Sequence, residues 1–193
     1  LWKLRPGGEA GIVLANGSMS SNTSGEGKIR EEMVRKDVVE AMVALPGQLF
    51  MNTQIPVCLW FLTNDKTQRG CDRRGQTLFI DARQMGMKKN RVERILTDKD
   101  ITTIADTVHS WRNDQDYEDI AGFCFAAKFA EIERNNFVLT PGRYVGAPDE
   151  ENDHESFEEK FQRLTFLLNM QQEEGKELDQ QIAENFRRIG CEF

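Results

Sequence analysis

The chain has 193 residues, of which 39% are apolar and 30% charged, and a formal net charge of −7. That length accommodates one domain with an appendage or two small domains and lets a proper core form without staples. The longest apolar run, Ile55–Leu62, falls well short of the ~18 residues that a membrane-crossing helix needs. The acidic surplus is local. Residues 146–193 carry 13 acidic and 5 basic side chains, against 19 and 20 in residues 1–145. An acidic tail repels phosphate, so any nucleic-acid contact belongs to the first part, and the tail is expected to face a protein partner or solvent.

Leu1 is not an initiator Met and no signal-peptide pattern follows it, which predicts numbering that starts inside a longer reading frame. Leu1–Pro6 reads as the end of a helix closed by Gly7-Gly8. Ala10–Ala15 is a short apolar strand stopped by the turn pair Asn16-Gly17. Ser18–Gly27, rich in Ser, Asn, Thr and Gly, reads as a mobile loop, and Gly25-x-Gly27 is too short and too far from a strand for a phosphate fingerprint. Lys28–Lys36 fits a helix with Ile29 and Met33 facing inward.

Val38–Leu45 and Ile55–Thr63 are nearly continuous apolar runs, as expected of strands covered on both faces. Pro46–Gln54 between them is a loop carrying Phe50, and Pro56 marks the start of the second run because it lacks a ladder N–H. Thr77–Asp81 is a further strand, and the stretch Ile55–Asp81 reads as a hairpin. Asp81, at the end of its strand, reads as a turn cap.

Thr97 with Asp100 gives a capping-box start to a helix whose apolar face is Ile101, Ile104, Ala105, Val108 and Trp111. A short helix around Phe129 and Ile132 and an extended piece to Val145 follow. PDEENDHE is a charged linker. In the last segment Phe157, Phe161, Leu164 and Leu168 recur at alternating spacings of four and three, and Leu178 and Ile182 resume that register after a polar gap at Gln171 and Gly175. Cys58, Cys71, Cys124 and Cys191 are widely spaced and the only histidines are His109 and His154. No metal site is expected from that set, and a reducing, cytoplasmic compartment is. His109, beside an apolar helix face, reads as a structural or surface residue.

Taken in order, GGEAGIVLANG (7–17), GEGKIREEMV (25–34), VVEAMVALPGQLFMNTQIPVCLWFL (38–62), TLFIDAR (77–83), LTDKDITTIADTV (96–108) and IERNNFVLTPGRYV (132–145) resemble the modification subunit of type I restriction-modification enzymes, an adenine-specific DNA methyltransferase. The resemblance implies an α/β fold: the carboxyl-terminal half of a Rossmann-like methyltransferase sheet, mixed and with its last strand antiparallel, followed by a helical tail. It divides the chain into a core part at 1–95, a helical and extended connection at 96–148 and a subunit-docking helix at 149–193. It also implies transfer of a methyl group from S-adenosylmethionine to the exocyclic amine of a flipped adenine. The family binds its cofactor through a Gly-rich loop after its first strand and holds the amine with Asn-Pro-Pro-Phe/Tyr. This sequence contains no Asn-Pro-Pro. The cofactor is therefore expected in a full-length parent and not on this chain alone, which is expected to be inactive and offers no catalytic residue.

On the same resemblance Phe50, Asn52 and Thr53 are the candidates for lining the flipped-base pocket; as plain residues they read first as a Phe covering the core and two loop polar groups. Lys66, Arg69, Arg73 and Arg74, and the run Lys88, Lys89, Arg91 and Arg94, are candidates for DNA phosphates or else exposed loop charge. Phe157, Phe161, Leu164 and Leu168 are the candidate docking seam, with specificity and restriction subunits as the implied partners. The rival reading is a non-catalytic interaction module that binds a specificity subunit or itself. The first apolar strand, lacking a neighbour, is expected to leave an open edge that favours self-association.

Overall fold

The computed structural model describes residues 3–50, 53–68, 71–147 and 157–188. They fall into two compact units, Leu1–Asp149 and Glu150–Phe193. The first is built on a five-stranded mixed sheet. Its elements in chain order are β1 (Glu9–Ala15), α1 (Glu26–Arg35), β2 (Val39–Ala44), β3 (Val57–Thr63), β4 (Gln76–Asp81), a small ribbon of β5 (Met87–Lys88) and β6 (Arg94–Ile95), α2 (Asp98–Asn113), β7 (Cys124–Lys128) and α3 (Phe129–Arg134).

The strand order is β1-β3-β2-β4-β7. β2 and β4 are parallel, and β3 runs antiparallel to both β1 and β2, so β1, β2 and β4 all point the same way. β7 closes the far side antiparallel to β4. The expected hairpin from Ile55 to Asp81 does not form. β3 and β4 do not pair, because β2, the strand buried along its whole length, takes the place between them. β7 is not visible as a strand in the sequence: CFAAK is short, and its small residues carry little strand signal. Residues 3–8 form turns and not a helix end, with Gly7 at φ +69°.

Alternation along the strands sends side chains to two cores. Met42, Ala44, Cys58, Trp60, Leu62 and Phe79 meet Met19, Val34, Ile132 and the 137–145 segment on one face. Ala41, Val43, Leu59, Phe61, Leu78 and Ile80 meet Val108 and Trp111 of α2 on the other. Thr97 caps α2 as its sequence demands, accepting from the Asp100 N–H at 3.2 Å while Asp100 accepts from the Thr97 N–H at 2.8 Å. Ile101 lies off the packed face of α2 and is exposed.

Two sequence expectations about the segment before β2 are corrected. Ile29 of α1 is exposed, while Met33 packs against the core as expected, beside the buried Arg30 and Val34. Ser18–Gly27 is structured, with 3-10 turns at Asn16–Met19 and Thr23–Gly25. Its organiser is the buried Arg30 guanidinium, which donates to the carbonyls of Ser18, Ser21 and Phe137 and to Asn22 Oδ1. A long side chain with five donors satisfies an irregular backbone that has no ladder of its own.

The second unit contributes α4 (Phe157–Arg188), a helix of 32 residues, about 48 Å long at 1.5 Å per residue. Phe161, Leu164 and Leu168 of the expected seam are exposed on it, as are Leu178 and Ile182; the side chain of Phe157 lies outside the described residues.

Candidate functional site

Open α/β sheets place ligands beyond the carboxyl ends of their parallel strands. Here that edge is formed by the ends of β1, β2 and β4 at Asn16, Leu45 and Ala82, and by the start of β3. The connection from Leu45 to Pro56 crosses it. Leu45 N–H donates to the Val57 carbonyl at 2.9 Å and Asn16 N–H to the Pro56 carbonyl at 3.2 Å, so both ends of the loop are stitched to the sheet. Pro46 and Gly47 allow the sharp departure: a Cβ on Gly47 would lie 2.6 Å from the Gln54 carbonyl oxygen.

Within this loop Leu49 packs against the α2-side core and Phe50 does not. Phe50 is 46% exposed, at the edge of the sheet, and pairs through a single bridge with Thr53. It is therefore not the core-covering residue of the alternative reading. Thr53 is half-buried and its hydroxyl accepts from the Ile55 N–H at 3.1 Å, holding the loop's return. Asn52 lies outside the described residues. Asn16 is half-buried at the end of β1, and its Oδ1 is enclosed without a hydrogen-bond partner among the described residues.

A cleft of about 700 Å³ adjoins this edge beyond β4, lined by Asp81, Arg83, Met85, Thr97, Asp100, Phe123 and Val145 among others. Asp81 is held by Arg83, whose Nε reaches Oδ1 at 2.8 Å and whose Nη2 reaches Oδ2 at 2.6 Å. That hydrogen bonding raises the Arg83 pKa and makes Asp81 the anchor of a turn and not a base. Among the described residues no group of three His, Cys, Asp or Glu side chains is placed to hold a metal.

The first basic cluster divides. Lys66 is buried and donates to Asp37 Oδ1 and to the Gln76 carbonyl, both at 2.5 Å. Burial pushes its pKa down while Asp37 pulls it back up. Arg73 is buried too: it reaches Glu40 Oε1 at 3.2 Å and the Arg112 carbonyl at 2.9 Å, and its guanidinium carbon lies 5.4 Å from the Trp111 ring centroid. Neither faces solvent, so the expectation that they contact phosphate or decorate a loop is corrected for both. Only Arg74 of the described members is exposed, paired with Asp72 at 2.6 Å. Arg69 lies outside the described residues.

The organiser of this buried set is Glu40, 1% exposed, which also accepts from Arg112 Nη2 at 2.5 Å. Arg112 in turn reaches Glu9 of β1 at 3.1 Å. A bulge between Val39 and Ala41 in the β2–β3 register puts Val39 in the same core as Met42 and leaves Glu40 to reach the α2 side. Bulges re-aim side chains in this way. The sequence carried the signal: Glu40 is the single charged residue inside the apolar run VVEAMVAL.

At the opposite side of the sheet β1 pairs with β3 alone, leaving its other backbone edge without a strand among the described residues. Ile12 and Leu14 are exposed on one face and Val13, at 53%, on the other. Ile12, Leu14, Ile29, Met33, Trp60 and Leu62 line a shallow apolar groove of about 370 Å³ beside it. Cys58, buried beneath β1, donates to the Leu14 carbonyl at 3.4 Å, and burial pushes its thiol pKa up, so it packs as an inert small hydrophobe.

Residues 1–153 match the family model described as N-6 DNA Methylase. The HindI methylase subunit of a Haemophilus influenzae type I restriction enzyme is 50% identical over 192 residues, covering 100% of this chain and 42% of that protein. The MjaIX type I methylase subunit of Methanocaldococcus jannaschii is 34% identical over 192 residues, covering 98% of this chain and 34% of its own length. Among solved structures, the methyltransferase subunit of a type I restriction-modification system from Streptococcus thermophilus superposes with a TM-score of 0.60 at 31% identity, over 72% of this chain and 26% of that one. The chain thus spans less than half the length of the curated relatives it matches.

Proposed function

This chain belongs to the N-6 DNA methylase family, and on that premise we propose that it supplies the carboxyl-terminal portion of the sheet of a type I, adenine-specific DNA methyltransferase subunit acting in the cytoplasm. The observation that carries the reading is the bare side of β1. Its paired side is fully registered with β3, while Ile12, Val13 and Leu14 stand exposed along an edge that no other strand among the described residues joins. Such an edge is the surface on which a further strand completes a sheet. In a complete subunit, strands supplied from elsewhere add to β1 and bring the Asn-Pro-Pro-Phe/Tyr tetrapeptide and cofactor loop to the carboxyl edge.

The part this chain plays in the chemistry is then to position the base. An adenine turned out of its duplex presents a π-face, and Phe50 at that edge stacks on it, an interaction that contributes about 1–3 kcal/mol and tolerates variation of base. Thr53, with Asn52, holds the loop that presents the ring. S-adenosylmethionine supplies an electrophilic methyl group when bound to such enzymes. Its ribose hydroxyls and cationic sulfur call for free acceptors, and both carboxylates lining the cleft beyond β4 are already engaged, Asp81 by Arg83 and Asp100 by Thr97 and the Gly86 N–H. This chain's residues do not form that cradle, and no step is assigned to them through the cofactor. By the same reading the chain alone does not methylate DNA, and α4 lays its apolar seam against helices of a specificity subunit in an assembly that also carries restriction subunits.

The test is a chimera in which this chain replaces the matching 42% of the HindI methylase subunit, assembled with that enzyme's partner subunits. Transfer of labelled methyl groups to adenine by the chimera, and none by the 193-residue chain alone, is the expected result. A folded, assembled chimera that transfers nothing refutes the reading, as does adenine methylation by the isolated chain.

A further inference from the structure

Resting on that reading and going beyond it, we propose that the β5–β6 ribbon, Met87–Ile95, is an arm that grips the phosphate backbone of duplex DNA beside the base-stacking loop. The ribbon carries Lys88, Lys89, Arg91 and Arg94 against the one carboxylate of Glu93 in a chain that is otherwise acidic. Lys88, Lys89 and Arg91 are all exposed. Lys89 lies 3.2 Å from Glu93, while Lys88 and Arg91 form no ion pair among the described residues. Lys88 sits directly opposite Arg94 in register. Like charges facing each other across a ribbon are destabilising, and an anion bound over Lys88 relieves that repulsion.

The ribbon is also rigid where it has to be. Asn90 Oδ1 accepts the N–H groups of Val92 and Glu93 at 2.9 and 2.8 Å, and the Lys89 N–H reaches the Glu93 carbonyl at 2.9 Å. This closes the tip with Arg91 and the exposed Val92 at its apex. The Arg94 guanidinium folds back onto the carbonyls of Met85 and Gly86, fixing the base of the arm. A backbone closed in this way loses little entropy when the arm meets phosphate.

Position decides between DNA and an acidic protein as the partner. The Arg94 N–H donates to the Gln48 carbonyl at 2.8 Å, two residues before Phe50, so the ribbon is tied directly to the stacking loop. A two-stranded ribbon fits the major groove, whose width is about 12 Å. An arm tied to the loop that holds an extruded base meets the phosphates flanking that base. With Lys66 and Arg73 turned inward, the ribbon presents three exposed cations, Lys88, Lys89 and Arg91, at this edge.

The test is fluorescence anisotropy of a labelled duplex of about 30 base pairs, titrated with the 193-residue chain and with the chimera over a range of salt. The K88Q/K89Q/R91Q variant keeps Asn90, Glu93 and Arg94 and hence the ribbon's own closure. It is expected to bind roughly tenfold more weakly and to flatten the log-affinity against log-salt slope by about 2, each phosphate that the arm no longer neutralises accounting for about 0.9. In the chimera it raises KM for DNA and leaves kcat unchanged. The control K36Q/K128Q, which removes two exposed cations at the other edge of the sheet, leaves both slope and affinity in place. Equal slopes for wild type and the triple variant overturn the proposal, as does an equal loss in the control. Weakened subunit assembly with an unchanged salt slope overturns it in favour of a protein partner. A chimera without methyl transfer condemns the functional reading alone, since the anisotropy titration of the chain judges the ribbon independently.

Discussion

Replacing Glu40 by Ala tests the account of the buried ion network. Glu40 is 1% exposed and accepts one guanidinium nitrogen from each of Arg73 and Arg112, which are themselves buried. Removing one member of a buried pair costs about 3–5 kcal/mol, because the partner's charge stays in the interior without its counter-charge. The structure places this case near the lower bound. Arg112 keeps Glu9 at 3.1 Å, and Arg73 keeps the Arg112 and Gln68 carbonyls and the Trp111 ring. Against that, Nε of both arginines has no hydrogen-bond partner among the described residues, so acceptors are already short around them before Glu40 is removed. A loss of about 3 kcal/mol is expected, a large part of the ~5–15 kcal/mol by which domains are stable. At about 2–4 °C per kcal/mol for a domain of this size, the thermal midpoint falls by about 6–12 °C. Urea melts should show a lower midpoint at unchanged slope. Replacing all three residues by apolar side chains of similar volume (E40L/R73M/R112M) recovers most of the loss, since no charge is then stranded. A loss below about 1 kcal/mol for E40A, or a triple variant no better than the single one, refutes the reasoning.

Three other outcomes are expected. Light scattering across micromolar concentrations should find the chain self-associated, and Val13→Lys, which puts a charge on the bare flank of β1, should shift it toward monomer; a monomer at all concentrations before the substitution counts against the exposed edge as an adhesive surface. Phe50→Ala in the chimera should raise KM for DNA by about 5- to 150-fold, the equivalent of about 1–3 kcal/mol of stacking, while leaving the urea midpoint unchanged; a drop in midpoint instead would make Phe50 a packing residue. The Asp72 carboxylate, hydrogen-bonded by Arg74, is held down at about 2. Because its folded pKa is depressed, whatever it adds to stability is present above its unfolded pKa and is lost as pH falls toward 2. An NMR titration should show that midpoint, and Arg74→Ala, which removes the guanidinium but keeps the Arg74 backbone N–H bonded to Asp72, should raise it part of the way toward the ordinary carboxylate range.

The parts of the fold that bury continuous apolar runs could be read directly. Val38–Leu45 and Ile55–Thr63 announce covered strands, and they are β2 and β3 nearly to the residue. Thr97 and Asp100 announce a helix start through a local hydrogen-bond pair that needs no tertiary help. Pairing was harder. β3 and β4 are consecutive and looked like a hairpin, but β2 is inserted between them, and such long-range choices are made by the whole core, which no local window contains. Burial of charge was hidden for the same reason. A string of basic residues in a loop has the same composition whether it faces phosphate or, as Lys66 and Arg73 do, a carboxylate on a distant strand. Phe50 was legible as a candidate, yet its exposure depended on its neighbour Leu49 taking the inward position.

The order of the strands also constrains how the polypeptide is made. β1 emerges from the ribosome before its hydrogen-bonding partner β3, whose first residue, Val57, follows Ala15 by about 40 positions, or roughly two to eight seconds of translation at 5–20 residues per second. Throughout that interval Ile12, Val13 and Leu14 have no mate downstream. A nascent chain that already carried strands upstream would shelter them at once, whereas one translated from Leu1 would rely on chaperones during that delay.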